Sequence, residues 1–187
     1  MPSGPGADYG PNVVLSLIDE LRAVREPKSE QVLVTAPVEQ VRRLVFDPAR
    51  MAELGEEIES ISWLDEANAP ALGAKFLGRN RNGRRRWETE CTVTECTPDR
   101  LGYDVHARAG NARLPISHWR YDVEQVDAAT SRVTETNWIK APVWFAPIGS
   151  LITGAAWRPA ANRAHITTTL ERVRAVLEQP DGHESTH

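Results

Sequence analysis

No stretch of this 187-residue chain stays apolar for the roughly 20 residues a helix needs to cross a bilayer, so stable membrane insertion is not expected. Cysteine is scarce. Cys91 and Cys96 lie five apart, on opposite faces of any single extended strand, which predicts two free thiols and a reducing, cytoplasmic setting. His106, His118, His165, His183 and His187 show no zinc-like spacing with one another or with the cysteines, and no metal is expected. Gly4, Gly6 and Gly10 follow no strand and have the wrong spacing for a phosphate-binding loop, so no cofactor is expected either. No nucleophile is flanked by a recognisable base and orienting acid. An excess of one charge is also missing: 22 basic against 26 acidic residues leave −4, which gives no overall reason to bind nucleic acid or an anionic membrane and leaves only local patches to do so. No internal repeat of fixed period is present.

What is present is enough apolar residue, 41%, to bury one core, and the length fits one domain. Residues 1–29 read as an extension whose first eleven residues resist regular structure, 30–178 as the folded domain and 179–187 as a flexible polar tail. Val13, Val14, Leu17, Ile18, Leu21 and Val24 follow helical spacing after Asn12, although Val13 to Ile18 also fits an edge strand. Gln31 to Thr35 alternates as a strand. Pro37 then opens a helix with Val38, Val41, Leu44 and Val45 on one face, and Asp47 followed by Pro48 caps a second short helix. Six extended stretches follow: Ile58 to Leu64, Ala74 to Arg79, Arg84 to Glu95, Arg100 to Arg108, Ala112 to Gln125 and Arg132 to Lys140. Asn82-Gly83 fits a type I′ hairpin, and turns at 97–99 and 127–131 separate later strands, so the connections are short and the sheet is an antiparallel meander. Finally Ile152, Ala156, Pro159, Arg163, Ile166, Leu170, Val173 and Leu177 recur at alternating spacings of four and three, the pattern of a buried helical face. Pro159 predicts a kink or a restart near Ala155 to Arg158.

This order of elements, with the segment 36–51 (APVEQVRRLVFDPARM), resembles the START-related helix-grip superfamily. RRRWETECTVT at 84–94, SHWRYDVE at 117–124 and SRVTETNW at 131–138 resemble its polyketide cyclase/dehydrase and lipid transport branch, over about residues 30 to 178. The resemblance implies an α+β fold: a seven-stranded antiparallel curved sheet around a long C-terminal helix, with two short helices between the first and second strands. It also implies a hydrophobic molecule held between sheet and helix. Similar sequences often carry tryptophan where Leu54 stands, so that part of the usual aromatic wall is missing.

Strand parity assigns the faces. Trp87, Thr89, Cys91 and Val93 form the better inward set, as do Leu101, Tyr103 and Val105, and Trp119, Tyr121 and Val123. Trp63, Phe76 and Trp138 are expected to join them. His118 is sent to the opposite face. Either these rings simply fill a core or they wall an apolar site, which the small Ala155 and Ala156 would leave room for. Glu135 and Asn137 share a face of the last strand, with Val133 and Ile139 at its ends. If that face is inward it meets the helix carrying Arg163, a charge that needs a partner or ligand there. A buried Glu135–Arg163 ion pair is one reading. In the other, Arg163 and Asn137 fix a carboxylate, phenol or enol while Glu135 moves a proton. Trp144 and Phe145, in an unusually apolar connection, read either as a buried crossover or as a lid, with Ile152 beyond them. Arg79, Arg81, Arg84, Arg85 and Arg86 make a basic hairpin tip, either solvated or docking an acidic partner or phosphate.

The candidate ligand-binding set is therefore Trp63, Phe76, Trp87, Tyr103, Trp119, Tyr121, Asn137, Trp144, Phe145, Ile152, Ala156 and Arg163, with Glu135 and Arg163 as candidate catalytic groups. The leading expectation is binding of a small hydrophobic ligand, aromatic and polyketide-like or lipid-like. An aromatase/cyclase-type enzyme and an interaction or regulatory protein are the alternatives.

Overall fold

The computed structural model describes residues 25–109, 112–155 and 158–179. The chain forms β1 (Lys28–Val34), α1 (Val38–Val45), α2 (Pro48–Leu54) and β2 (Ile58–Trp63), followed by five further strands. These are β3 (Lys75–Asn82), β4 (Arg85–Thr97), β5 (Arg100–Ala109), β6 (Ala112–Gln125) and β7 (Ser131–Ile139). A 3-10 turn at Val143–Phe145 leads into α3 (Ala146–Thr153), and α4 (Arg158–Leu177) completes the fold. The helix spacing seen at Val13 to Val24 lies outside the described residues.

All seven strands form one antiparallel sheet in the order β1-β7-β6-β5-β4-β3-β2. The consecutive strands β1 and β2 thus lie at opposite edges, and α1 and α2 carry the chain from one edge to the other. Asp47 begins α2 as expected: its carboxylate accepts from the backbone amides of Ala49 (2.9 Å) and Arg50 (3.3 Å), two donors that would otherwise be orphaned. The expected α+β helix-grip architecture is the one observed.

Local details differ. Asn82 pairs with Arg85, so the hairpin loop is Gly83-Arg84, one residue later than expected, and only Gly83 has positive φ (59°). That is the pattern of a type II′ turn, which needs glycine at its first central position alone. In β4 a register shift between Val93 and Glu95 pairs Cys96 with Leu101, so both cysteines fall on the same face rather than on opposite ones. Both thiols are free. Cys91 is buried, which pushes its thiol up to about 12, and Cys96 is exposed. Near Pro159 the helix restarts: Gly154, at φ 76°, ends α3 in a left-handed cap, and α4 opens at Arg158.

The helix α4 lies along β1 and β7 and touches α1 and α2. Its buried positions are Asn162, Ile166, Thr169, Leu170, Val173 and Leu177. Ile166 and Val173, both at 0% exposure, join Val34, Val41, Val45 and Val133 in the larger core cluster. A second cluster of Phe76, Cys91, Val93, Leu101 and Val105 lines the β3–β5 half, and Tyr103, Trp119 and Phe46 touch both.

Candidate functional site

Cross-strand pairs fix which side chains share the concave face. Trp63 pairs with Phe76, Phe76 with Cys91, Tyr103 with Trp119, Tyr121 with Leu101, and Tyr121 with Glu135. Directly opposed residues of an antiparallel ladder point the same way, so these groups converge. The result is a continuous path. Trp63 meets Phe76 edge to face at 5.4 Å, Phe76 meets Tyr103 at 5.3 Å, Tyr103 hydrogen-bonds Tyr121, and the Tyr121 hydroxyl donates to Glu135 Oε1 at 2.8 Å. Trp119 packs beside it with its indole N–H donated to Ser117 Oγ at 3.1 Å.

Glu135 is only 3% exposed and forms no ion pair among the described residues; Glu30, opposite it on β1, takes Arg163 instead. Burial is the dominant influence on its carboxyl, raising its pKa to about 8, and the Tyr121 hydrogen bond offsets only part of that rise. At neutral pH the acid is therefore mostly protonated. Burial also pushes the phenols of Tyr103 and Tyr121 above their usual range, with the nearby Glu135 charge adding to it. Two residues along β7, Asn137 is fully buried; its amide donates to the His118 carbonyl at 3.2 Å and its Oδ1 accepts from Asn162 Nδ2 at 2.7 Å. Glu135 Oε2 and Asn162 Oδ1 are left buried with no partner among the described residues. Unpaired buried polar atoms are uncommon and costly, about 1–3 kcal/mol each.

Of the residues singled out from the sequence, Trp63, Phe76, Tyr103, Trp119, Tyr121, Glu135 and Asn137 come together here. Trp87 faces the same way, opposite Asn80, and is half-buried. Leu54, standing where tryptophan was expected, is half-buried and packs on the larger cluster. Trp138 does not join the interior. It stacks on His118 (5.2 Å) and carries Arg120 over its ring (4.8 Å) on the convex face. Trp144, Phe145 and Ile152 sit away from the ring path: Trp144 touches Phe145 at 5.9 Å, and Trp144 and Ile152 are exposed. Ala156 lies outside the described side chains.

Arg163 does not face the interior either. Its side chain is 68% exposed and its Nε donates to Glu30 at 2.7 Å, so there is no Glu135–Arg163 pair. The reason is phase. At about 100° per residue, Arg163 stands roughly 60° from Ile166, at the rim of the buried stripe beside edge strand β1, and its long side chain reaches outward. Asn162 stands about 40° to the other side and is buried. The sequence reading missed Asn162. A period of 3.6 anchored on Ile166 and Val173 would have found it, whereas a period of 3.5 carried across the break after Gly154 selected its neighbour.

The convex face has different chemistry. His118 Nδ1 lies 2.8 Å from Asp104 and its Nε2 3.3 Å from Glu95, while Lys140 reaches Asp104 at 2.6 Å. Burial pushes the Asp104 carboxyl up, but the hydrogen bonds from Lys140 and His118 outweigh it and hold the group below its ordinary range. A surface cleft of about 600 Å³ beside this network is lined by Arg25, Glu95, His118, Arg120, Trp138, Ile139 and Lys140.

Comparison with known proteins follows the same outline. A family model described as polyketide cyclase / dehydrase and lipid transport matches residues 28–178. Among solved structures, hypothetical protein jhp0584 from Helicobacter pylori is 14% identical, with a TM-score of 0.62 over 95% of this chain and 98% of that one. The Polyketide_cyc-like protein Cgl2372 from Corynebacterium glutamicum is 25% identical, with a TM-score of 0.55 over 84% of this chain and 97% of its own. The di-domain ARO/CYC BexL of the BE-7585A biosynthetic pathway is 19% identical, with a TM-score of 0.60 over 83% of this chain. This chain spans about half of BexL, 48% of its length. No curated protein matches the chain.

Proposed function

Because the chain belongs to the polyketide cyclase/dehydrase and lipid transport family, we propose that it binds a small, uncharged hydrophobic molecule between the sheet and α4. The polar end of that molecule, a phenol, ketone or alcohol, meets Glu135 and Asn162. The observation that carries this reading is the pair of buried, unpartnered oxygens, Glu135 Oε2 and Asn162 Oδ1, beside a path of aromatic rings. A protonated Glu135 donates to a ligand oxygen, and Asn162 Oδ1 accepts from a ligand hydroxyl. No lysine or arginine is among the buried polar residues described, which argues against an anionic ligand. The unit responsible is the domain at 30–178. Its setting is the cytoplasm, a reading supported by the two free thiols and by the lack, among the described residues, of a helix long and apolar enough to cross a membrane.

A titration of the purified protein with 1-naphthol, a two-ring phenol, followed by tryptophan emission and paired with native mass spectrometry for any co-purifying molecule, tests this. Saturable quenching is expected. Asn162→Leu should weaken it about tenfold, the size of one hydrogen bond in a dry site. Emission that never saturates, or an Asn162→Leu variant that binds as tightly, overturns the reading.

One observation favours a second reading, an aromatase/cyclase-type enzyme. A carboxyl whose pKa is about 8, hydrogen-bonded to a phenol that is itself bonded to a second phenol, is suited to proton transfer near neutral pH. In that case pocket shape and exclusion of water would guide a poly-ketone chain. Protein-dependent cyclisation that disappears in Glu135→Gln would support it; products unchanged from the protein-free reaction would remove it.

A further inference from the structure

The helix α3 points its apolar face the wrong way for a globular protein. Trp144 (64% exposed), Ile148 (45%), Leu151 (73%) and Ile152 (41%) recur at i, i+4, i+7 and i+8, the spacing that normally faces a core, and Val143 (51%) adjoins them. Five of the nine large hydrophobic residues exposed among the described residues fall in this ten-residue stretch, so they form a patch rather than a scatter.

The neighbouring surface supplies positive charge. The β3–β4 hairpin is fastened to the C-terminal end of α3: Arg85 Nε donates to the Leu151 carbonyl at 3.0 Å, and Asn82 Nδ2 to the Thr153 carbonyl at 2.9 Å. Gly154 makes that seat possible, since a Cβ there would come within 2.7 Å of the Arg85 guanidinium. Along the hairpin stand Arg79, Arg81, Arg84, Arg85 and Arg86, with no acid between them. Glu59 meets Arg81 and Arg86, and Glu88 meets Arg79, which leaves Arg84 and Arg85 without a carboxylate partner among the described residues.

We propose that α3 and the arginine hairpin together form a peripheral docking face for an anionic lipid bilayer, with Trp144, Ile148 and Leu151 entering the interface and the arginines meeting lipid phosphates. An exposed helical stripe of large apolar residues flanked by cations is complementary to an acyl boundary beneath negative headgroups. A groove for a protein helix would need concave walls, and the chain's own apolar segment at 13–24, with Asp19 and Glu20 against Arg22, offers the arginines little charge. The inference goes beyond the interior site and does not depend on it: docking is read without any ligand.

Sedimentation of the full chain with vesicles tests it, comparing phosphatidylcholine alone with equal parts phosphatidylcholine and phosphatidylglycerol at low salt. The protein should pellet with the anionic vesicles only, and added salt should release it. Leu151→Glu should weaken binding at least roughly tenfold, and Arg84→Ala roughly fivefold, with unchanged circular dichroism and thermal midpoint in both. Failure to pellet with anionic vesicles, equal binding to neutral ones, or a Leu151→Glu variant that binds like the parent would each overturn the proposal. So would a chain that ignores vesicles and forms a dimer split by Leu151→Glu, since the patch would then be a protein interface.

Discussion

The two faces of one sheet solve the problem of polar side chains in opposite ways. On the convex face every strand from β4 to β7 carries ionised groups, and they come in pairs: Arg100 with Asp122 at 2.6 Å, Arg113 with Glu90 at 2.5 Å, Lys140 with Asp104 at 2.6 Å. On the concave face Glu135 is the one fully buried acid among the described residues: Glu30, opposite it on β1, reaches out to Arg163 at the rim, whereas the hydrogen-bond partner of Glu135 is the neutral Tyr121. Water and counter-charges make ionisation inexpensive outside, whereas desolvation makes it prohibitive inside, so the interior acid holds its proton. The lesson is that an uncompensated buried carboxyl marks a place kept for something other than stability. A glutamine of the same shape would fill it without the titration.

Four experiments break or sharpen that contrast. The largest effect is expected at the junction of α4 with the sheet, where Ile166 is fully buried: Ile166→Ala should lower the unfolding free energy by about 2–5 kcal/mol in a urea titration. A loss under about 1 kcal/mol would mean the sheet's concave side is not closed there.

Next comes Glu135. Its folded pKa, about 8, exceeds the ordinary value of 4.5, so the native state binds the extra proton and stability falls as pH rises through that window. Glu135→Gln should remove this slope, at most about 1.4 kcal/mol per pH unit, and leave the variant more stable than the parent on the order of 2 kcal/mol at pH 7. Parallel pH profiles of parent and variant would show that the carboxyl is ionised, and the two faces would then not differ as described.

Asp104 on the convex face should behave in the opposite sense. Its folded pKa lies below the ordinary carboxylate value, so its contribution is present above that value and is lost as pH falls through the folded one. Asp104→Asn should flatten only the acid limb of the stability profile, and a change confined to the alkaline limb would contradict the assignment. The smallest effect belongs to Arg163. Its pair with Glu30 is exposed, so Arg163→Ala should cost no more than about 1 kcal/mol and leave naphthol binding intact. Lost binding would return this residue to the interior site.

Much of the molecule is legible in the residues themselves. Alternation along a strand and 3.6-residue spacing along a helix are local, so Trp119 and Tyr121, Glu135 and Asn137, and the short helices after β1 can each be assigned without knowing what lies opposite. The order of elements then fixes the sheet. What stays hidden is phase across a discontinuity. The register shift after Val93 moves Cys96 to the face of Leu101, and the break at Gly154 resets the helical stripe so that Asn162 rather than Arg163 turns inward. Trp138 crosses no such discontinuity: one residue from Asn137 in an unbroken strand, it faces outward by the parity that already assigns Glu135 and Asn137 inward, whatever its hydropathy prefers.

The sequence by itself determined the elements, their order, the aromatic faces of the strands and the acid on β7, because each rests on neighbours within a few positions. Only the tertiary structure decided that Glu135 forms no ion pair among the described residues, that Asn162 reaches Asn137 from α4, and that α3 bares its apolar side next to the arginines. Those outcomes depend on which surfaces meet across the fold, and the burial and charge compensation that govern them are properties of the assembled chain.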